Sequence, residues 1–119
     1  MEIFKWLDNT SLVVAYTVRD FRTSPSAFYL NLHVRLVDQS ELYVRDFRSA
    51  DHRKYSFHWQ TATGALIARW DNAPHFPDLT SFPHHQHLAE GPVVDSHSVS
   101  FDEVMTLIVS QIEHPPRPE

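Results

Sequence analysis

The sequence predicts an α+β fold: an antiparallel β-sheet built as a meander of hairpins, packed by a C-terminal helix, with a proline- and histidine-rich loop laid over the sheet. Three observations carry this expectation. Successive stretches between residues 12 and 71 alternate apolar and polar side chains, the period of a strand with one buried face. Prolines at 74, 77 and 83 then fix φ and remove backbone donors, which no central strand or helix tolerates. Finally, Ser100 followed three residues later by Glu103 is a capping box in front of an apolar stripe at helical spacing.

Ile3 to Leu7 is too short for its period to decide between a helical turn and an extended lead-in. Leu12, Val14, Tyr16 and Val18 alternate with Val13, Ala15, Thr17 and Arg19, and the β-branched content favours a strand. Phe28, Leu30, Leu32, Val34 and Leu36 alternate strictly with polar or half-polar partners and give the clearest strand. Asp38-Gln39-Ser40 is a tight turn, from which Leu42 to Phe47 returns. Tyr55, Phe57 and Trp59 alternate with Ser56, His58 and Gln60. Thr63-Gly64 supplies a turn, and Leu66, Ala68 and Trp70 come back against Ile67, Arg69 and Asp71. Four or five strands are legible in this way, and Val93-Val94 reads as a short edge strand after Glu90-Gly91-Pro92. Phe101, Val104, Met105, Ile108 and Ile112 share one helical face, which Pro115-Pro116 ends. The expected core is Phe28, Leu30, Leu32, Val34, Trp59, Trp70, Val104 and Ile108.

At 119 residues the chain fits one domain, expected over 1–119, with a single core. No apolar run approaches the roughly 20 residues that span a bilayer, and the first residues do not read as a secretory signal. There is no cysteine, so disulfides, thiolate catalysis and thiolate-held zinc are excluded. A cytoplasmic protein without membrane association is expected. Charge is uneven: residues 1–70 hold nine Lys/Arg against seven Asp/Glu, while residues 71–119 hold one against eight. That balance argues against a general nucleic-acid binder but leaves room for a local basic face. No phosphate-binding glycine loop, nucleophile elbow, H-E-x-x-H or dinucleotide motif is present.

The chemistry concentrates between Tyr55 and His87, which holds five of the nine histidines and two of the three tryptophans. With the aromatic face of the Tyr55–Asp71 hairpin turned inward, His58, Gln60, Arg69 and Asp71 project together from the other face. The rigid loop that follows carries His75, Asp78, His84, His85 and His87. Arg19, Arg22, Arg35, Arg45, Arg48, Arg53 and Lys54 read as a solvated face. Interleaved with Tyr29 and Tyr43, they also have the make-up of a stacking platform for single-stranded RNA.

R-W-D-N-A-P-H at Arg69 to His75, F-P-H-H-Q-H at Phe82 to His87 and Y-S-F-H-W at Tyr55 to Trp59 resemble the TumE family of prokaryotic toxins. The likeness is strong over 55–87 and extends loosely back to about Leu30 and on into the C-terminal helix. This chain has Phe76 where the family usually shows a second histidine, and Gln86 where it often shows a lysine. The resemblance implies a toxin paired with a helix-turn-helix antitoxin.

Three readings of the histidines stay open. His85-x-His87, with His75, Asp71 or Asp78, has a metal-ligand pattern, but the spacing is common. No metal ligand and no cofactor is therefore assigned. A structural reading has the imidazoles satisfying carbonyls of the proline loop, with Asp71-Asn72-Ala73-Pro74 as a turn held by its own side chains. Cleavage of RNA without a metal needs a base, an acid and a cation, which His58, His84, His85 and Arg69 supply. Gln60, Asp71, His75 and His87 are the expected substrate contacts. The function expected is that of a toxin acting on RNA as a small metal-independent endoribonuclease; the alternative is a non-enzymatic protein-binding module. A homo-oligomer is compatible with either.

Overall fold

A computed structural model describes residues 2–115. Seven strands form one sheet in the order of the sequence, each antiparallel to the next. They are β1 (Val13–Thr23), β2 (Ala27–Leu36), β3 (Glu41–Ser49), β4 (Arg53–Gln60), β5 (Leu66–Asp71), β6 (His85–Leu88) and β7 (Val93–Asp95). A short helix α1 (Glu2–Leu7) precedes them and α2 (Phe101–Glu113) follows. The expected α+β meander with its C-terminal helix is what the chain adopts.

Turn chemistry sets the register. Gln39 lies at φ 72° between β2 and β3, where Asp38 Oδ1 accepts from the Ser40 amide at 3.0 Å. Gly64, at φ 94°, closes the β4–β5 turn in the left-handed region that glycine enters at little cost. From these turns the alternation runs without slip through β2, β3 and β4 up to Trp59. Leu30, Leu32, Val34, Leu36, Leu42, Val44, Tyr55, Phe57, Trp59, Ala68 and Trp70 are consequently buried on one face. Helix α2 sets Phe101, Val104, Met105 and Ile108 into that face. Of the expected core only Phe28 is partly exposed, because it lies near the end of β2 under the rim formed by Phe21.

Helix α2 starts where its capping box requires: Ser100 Oγ accepts from the Glu103 amide at 3.1 Å, and Glu103 accepts from the Ser100 amide at 3.2 Å. Pro116 of the expected stop lies outside the described residues. The N-terminal stretch, undecided by sequence, is helical, and Trp6 Nε1 donates to Asp102 Oδ1 at 2.8 Å, tying α1 to α2.

One difference from the sequence reading matters for the site. The proline loop ends at His84, and His85–Leu88 joins the sheet as β6 against β5. Its H-Q-H-L run lacks an apolar alternation to read; the free edge of β5 recruits it through backbone pairing. The anticipated Val93-Val94 edge strand is β7, paired to β6. Both helices lie on the same face, so the opposite face of the sheet carries no helical layer.

Candidate functional site on the open face of the sheet

Pairing across the sheet turns scattered residues into rows. One row on the open face runs Thr17, His33, Tyr43, His58, Arg69, His87, Val93, a partner from each strand. The row beside it runs Asn31, Arg45, Ser56, Asp71, His85, Asp95. His58, Arg69, Asp71, His85 and His87 are thus neighbours because five residues on three strands share a register and a face.

Arg69 is the hinge of the group. Its Nε donates to Asp71 Oδ2 at 2.9 Å and its guanidinium donates to His58 Nδ1 at 3.3 Å, while its side chain stays 37% exposed. Guanidinium has only donors, so His58 Nδ1 is the bare nitrogen and Nε2 carries the hydrogen, donated to Gln60 Oε1 at 3.2 Å. Partial burial, reinforced by Arg69, holds the His58 imidazole below its ordinary pKa. The group is therefore neutral at pH 7 and able to accept a proton.

Asp71 is buried, and both of its oxygens have close polar neighbours. Oδ1 accepts from the Ala73 amide at 3.0 Å, as expected of the turn, and faces His85 Nε2 at 2.9 Å. Oδ2, besides Arg69, faces His87 Nε2 at 3.5 Å. Burial, the largest influence, pushes this carboxyl upward, but the Ala73 amide, Arg69 and His85 together hold it below the usual carboxylate range. His85 and His87 bring their Nε2 atoms within 3.1 Å of each other. Phe76 closes over both rings edge-on, with centroids at 4.7 Å from His85 and 5.7 Å from His87. Burial, with His85 and Arg69 adding to it and Asp71 opposing, lowers the His87 pKa. Asp71, His85 and His87 offer three ligand atoms within 4.8 Å of one another, a set that can hold a metal ion.

The other expected residues part company with this group. His84, one residue from His85, points to the opposite side of the sheet, where its Nδ1 meets the hydroxyl of core residue Tyr55 at 2.9 Å. The alternation that places His85 on the open face excludes His84 from it. His75 and Asp78 are exposed on the loop and lie outside the three-ligand cluster. Asn72 does not close its own turn: it accepts from the Tyr55 amide at 3.0 Å and donates to the Arg53 carbonyl at 2.6 Å, stapling the loop to β4. Loop residue Thr80 donates to Asp95 Oδ2 at 3.0 Å and so anchors the far end to β7.

A cavity of about 340 Å³ opens on the same face, lined by Tyr29, Arg45, Phe47, Lys54, Ser56, Arg69, Asp71 and Asn72 among others. It brings three cations and two aromatic rings together beside Asp71. The basic set is split by the sheet: Arg48 and Arg53 clamp buried Asp46 on the helix-bearing side, at 2.9 Å and 3.1 Å, and are unavailable here. Sequence reasoning missed His33 and Phe47. His33 stacks on Tyr43 with centroids 4.3 Å apart and planes 6° off parallel, and meets Glu41 at 3.1 Å. The signal for His33 was its outward position in the strict alternation of β2; its neighbours required the register.

The family model described as Toxin TumE matches residues 3–113. No curated protein and no solved structure matches the chain.

Proposed function

The chain belongs to the TumE toxin family, and from that premise we propose that it is the toxin of a toxin–antitoxin pair and cleaves RNA on the open face of its sheet. The observation that supports this reading most is the setting of Arg69. An accessible guanidinium lies between a bare imidazole nitrogen and a buried carboxylate, at the edge of a cavity that also holds Arg45, Lys54, Tyr29 and Phe47. Cations that neutralise phosphates, interleaved with rings on which bases stack, suit a single strand. The site's local charge offsets the chain's net charge of −5.

In this reading Arg69 holds the scissile phosphate and His58 Nδ1 takes the proton from the neighbouring ribose 2′-hydroxyl. The 2′ oxygen attacks phosphorus, and Arg69 stabilises the added negative charge. The bond to the 5′ oxygen then breaks, leaving a 2′,3′-cyclic phosphate and a 5′-hydroxyl. The 5′ oxygen receives its proton from the Asp71–His85–His87 cluster, of which His87 reaches the surface. His84 has no part in this chemistry because it is bonded to Tyr55 on the other side. The scaffold alternative accounts well for two residues, His84 on Tyr55 and His85 Nδ1 on the Pro83 carbonyl at 3.0 Å, and for neither His58 nor Arg69. A protein antitoxin, of the helix-turn-helix class, is the partner this role implies. Among the described residues no helix is long and apolar enough to cross a membrane.

The test is cleavage of end-labelled single-stranded RNA by purified protein, with toxicity in cells and melting temperature measured in parallel. His58→Ala and Arg69→Ala are expected to lower cleavage by roughly a hundredfold to ten-thousandfold while remaining folded. Because the His58 imidazole titrates below its ordinary value, the acid limb of the bell-shaped rate profile should lie below the pH at which a free imidazole is protonated. Folded His58→Ala and Arg69→Ala proteins as toxic as the parent overturn the proposal.

A further inference from the structure

We propose that Asp71, His85 and His87 bind one divalent transition-metal ion of the zinc class between β5 and β6. The argument begins with a proton. His85 Nδ1 lies 3.0 Å from the Pro83 carbonyl, which only accepts, so Nδ1 carries the hydrogen. In a neutral ring Nε2 is then a bare lone pair. That lone pair faces the Asp71 carboxylate at 2.9 Å and the second imidazole nitrogen, His87 Nε2, at 3.1 Å. With His87 in the tautomer that presents Nε2 as a lone pair, two imidazole nitrogens and a carboxylate turn their electron pairs toward one another, an arrangement that a shared cation stabilises.

The spacing is that of a coordination shell. Two ligands each about 2.1 Å from a shared ion lie about 3.0 Å apart at a right angle and about 3.4 Å apart at the tetrahedral angle. The two imidazole nitrogens lie 3.1 Å apart, and the carboxylate meets them with both oxygens, Oδ1 at 2.9 Å from His85 Nε2 and Oδ2 at 3.5 Å from His87 Nε2, as a carboxylate that straddles an ion does. The surroundings are those a ligand set needs. The Pro83 carbonyl fixes the His85 tautomer and Arg69 steadies Asp71 at Oδ2, both outer contacts that orient ligands. His85 is 1% exposed and Phe76 packs edge-on against both imidazoles, while the His87 side chain is 25% exposed, so His87 is the solvent-facing member of the set. Two imidazoles and one carboxylate with no thiolate select zinc, cobalt or nickel over the all-oxygen preference of magnesium or calcium. The ion would pin β6, and through it the proline loop, to β5. This inference does not depend on RNA being the target. If both hold, the 5′ oxygen takes its proton from water on the ion, since a metal-bound His87 Nε2 has none to give.

The experiment uses untagged full-length protein, stripped with chelator and dialysed. Cobalt(II) is titrated by visible absorption and zinc(II) by calorimetry and by the change in melting temperature. Expected are one ion per chain, displacement of cobalt by zinc, a raised melting temperature and no uptake of magnesium. His87→Gln, at the solvent side where folding is least at risk, and Asp71→Asn should abolish saturable uptake. Arg69→Ala should weaken it by about 10- to 100-fold, while His75→Ala and His84→Ala should retain it. No saturable uptake by folded parent protein, or uptake unchanged in folded His87→Gln, overturns the proposal; in that case a proton shared among the three residues fills the point. No RNA enters these measurements, so this result and the cleavage result fail independently.

Discussion

Replacing Trp70 with alanine probes the sidedness on which the whole site depends. Trp70 is 3% exposed and stands between cross-strand partners Phe57 and Gln86 on the face that receives α2. A buried tryptophan removes about 150–250 Å² from water, which at about 25 cal/mol per Å² is about 4–6 kcal/mol. Alanine keeps its Cβ and the pocket relaxes in part, so a loss of about 3–5 kcal/mol is expected. With an unfolding entropy of about 2.1 cal/mol/K per residue, a chain of 119 residues changes melting temperature by about 4 °C per kcal/mol. Trp70→Ala should therefore melt about 12–20 °C below the parent, read by circular dichroism or calorimetry. Were the faces reversed, Trp70 would stand on the open face beside solvent and its loss would cost about 0.5 kcal/mol or less. A drop under about 5 °C would refute the face assignment, and with it the placement of Arg69 and Asp71 on the open side.

Two further outcomes follow from particular contacts. His84→Ala removes the partner of the buried Tyr55 hydroxyl and should cost about 1–3 kcal/mol in thermal denaturation while leaving RNA cleavage and toxicity at the parent level; loss of cleavage by a folded His84→Ala protein would restore His84 to the site. The Glu103 carboxyl is held below its usual range, first by His97 at 2.6 Å and then by the Ser100 amide, with slight burial opposing. Its contribution to stability is present above its unfolded value of about 4.3 and lost as pH falls through the folded value. Melting temperature should thus fall less steeply in Glu103→Gln, which keeps the capping box, than in the parent between about pH 6 and 3, and superimposable profiles would count against the ionised Glu103 and its contact with His97 as a source of stability.

How far the sequence reaches is visible in single residues. The period-2 alternation from Phe28 to Leu36 and from Tyr55 to Asp71 needs only local chemistry, since a strand with one wet face must alternate. It was enough to put His58, Arg69 and Asp71 on one side. The Ser100–Glu103 box located the start of α2 for the same local reason. The sequence grouped His84 with His85 and His87 and did not reveal that His84 turns to the other side, because the proline loop conceals where it becomes β6. A strand recruited by a neighbour's free edge is specified by backbone pairing that its own side chains do not announce.

The rows decided the rest. His33 is 54 residues from His87, and Arg45 is 26 from Asp71, yet the pairing of successive strands sets each in a common line on the open face. By itself the sequence determined β1 to β5, β7 and α2, the inward and outward faces and the family likeness. Only the tertiary structure decided that Arg48 and Arg53 serve Asp46, that Asn72 staples the loop to β4, and that Asp71, His85 and His87 bring their ligand atoms within 4.8 Å of one another. The physical reason is that hydrogen bonds and ligand geometry depend on angstroms between side chains distant in sequence, which periodicity along the chain does not encode.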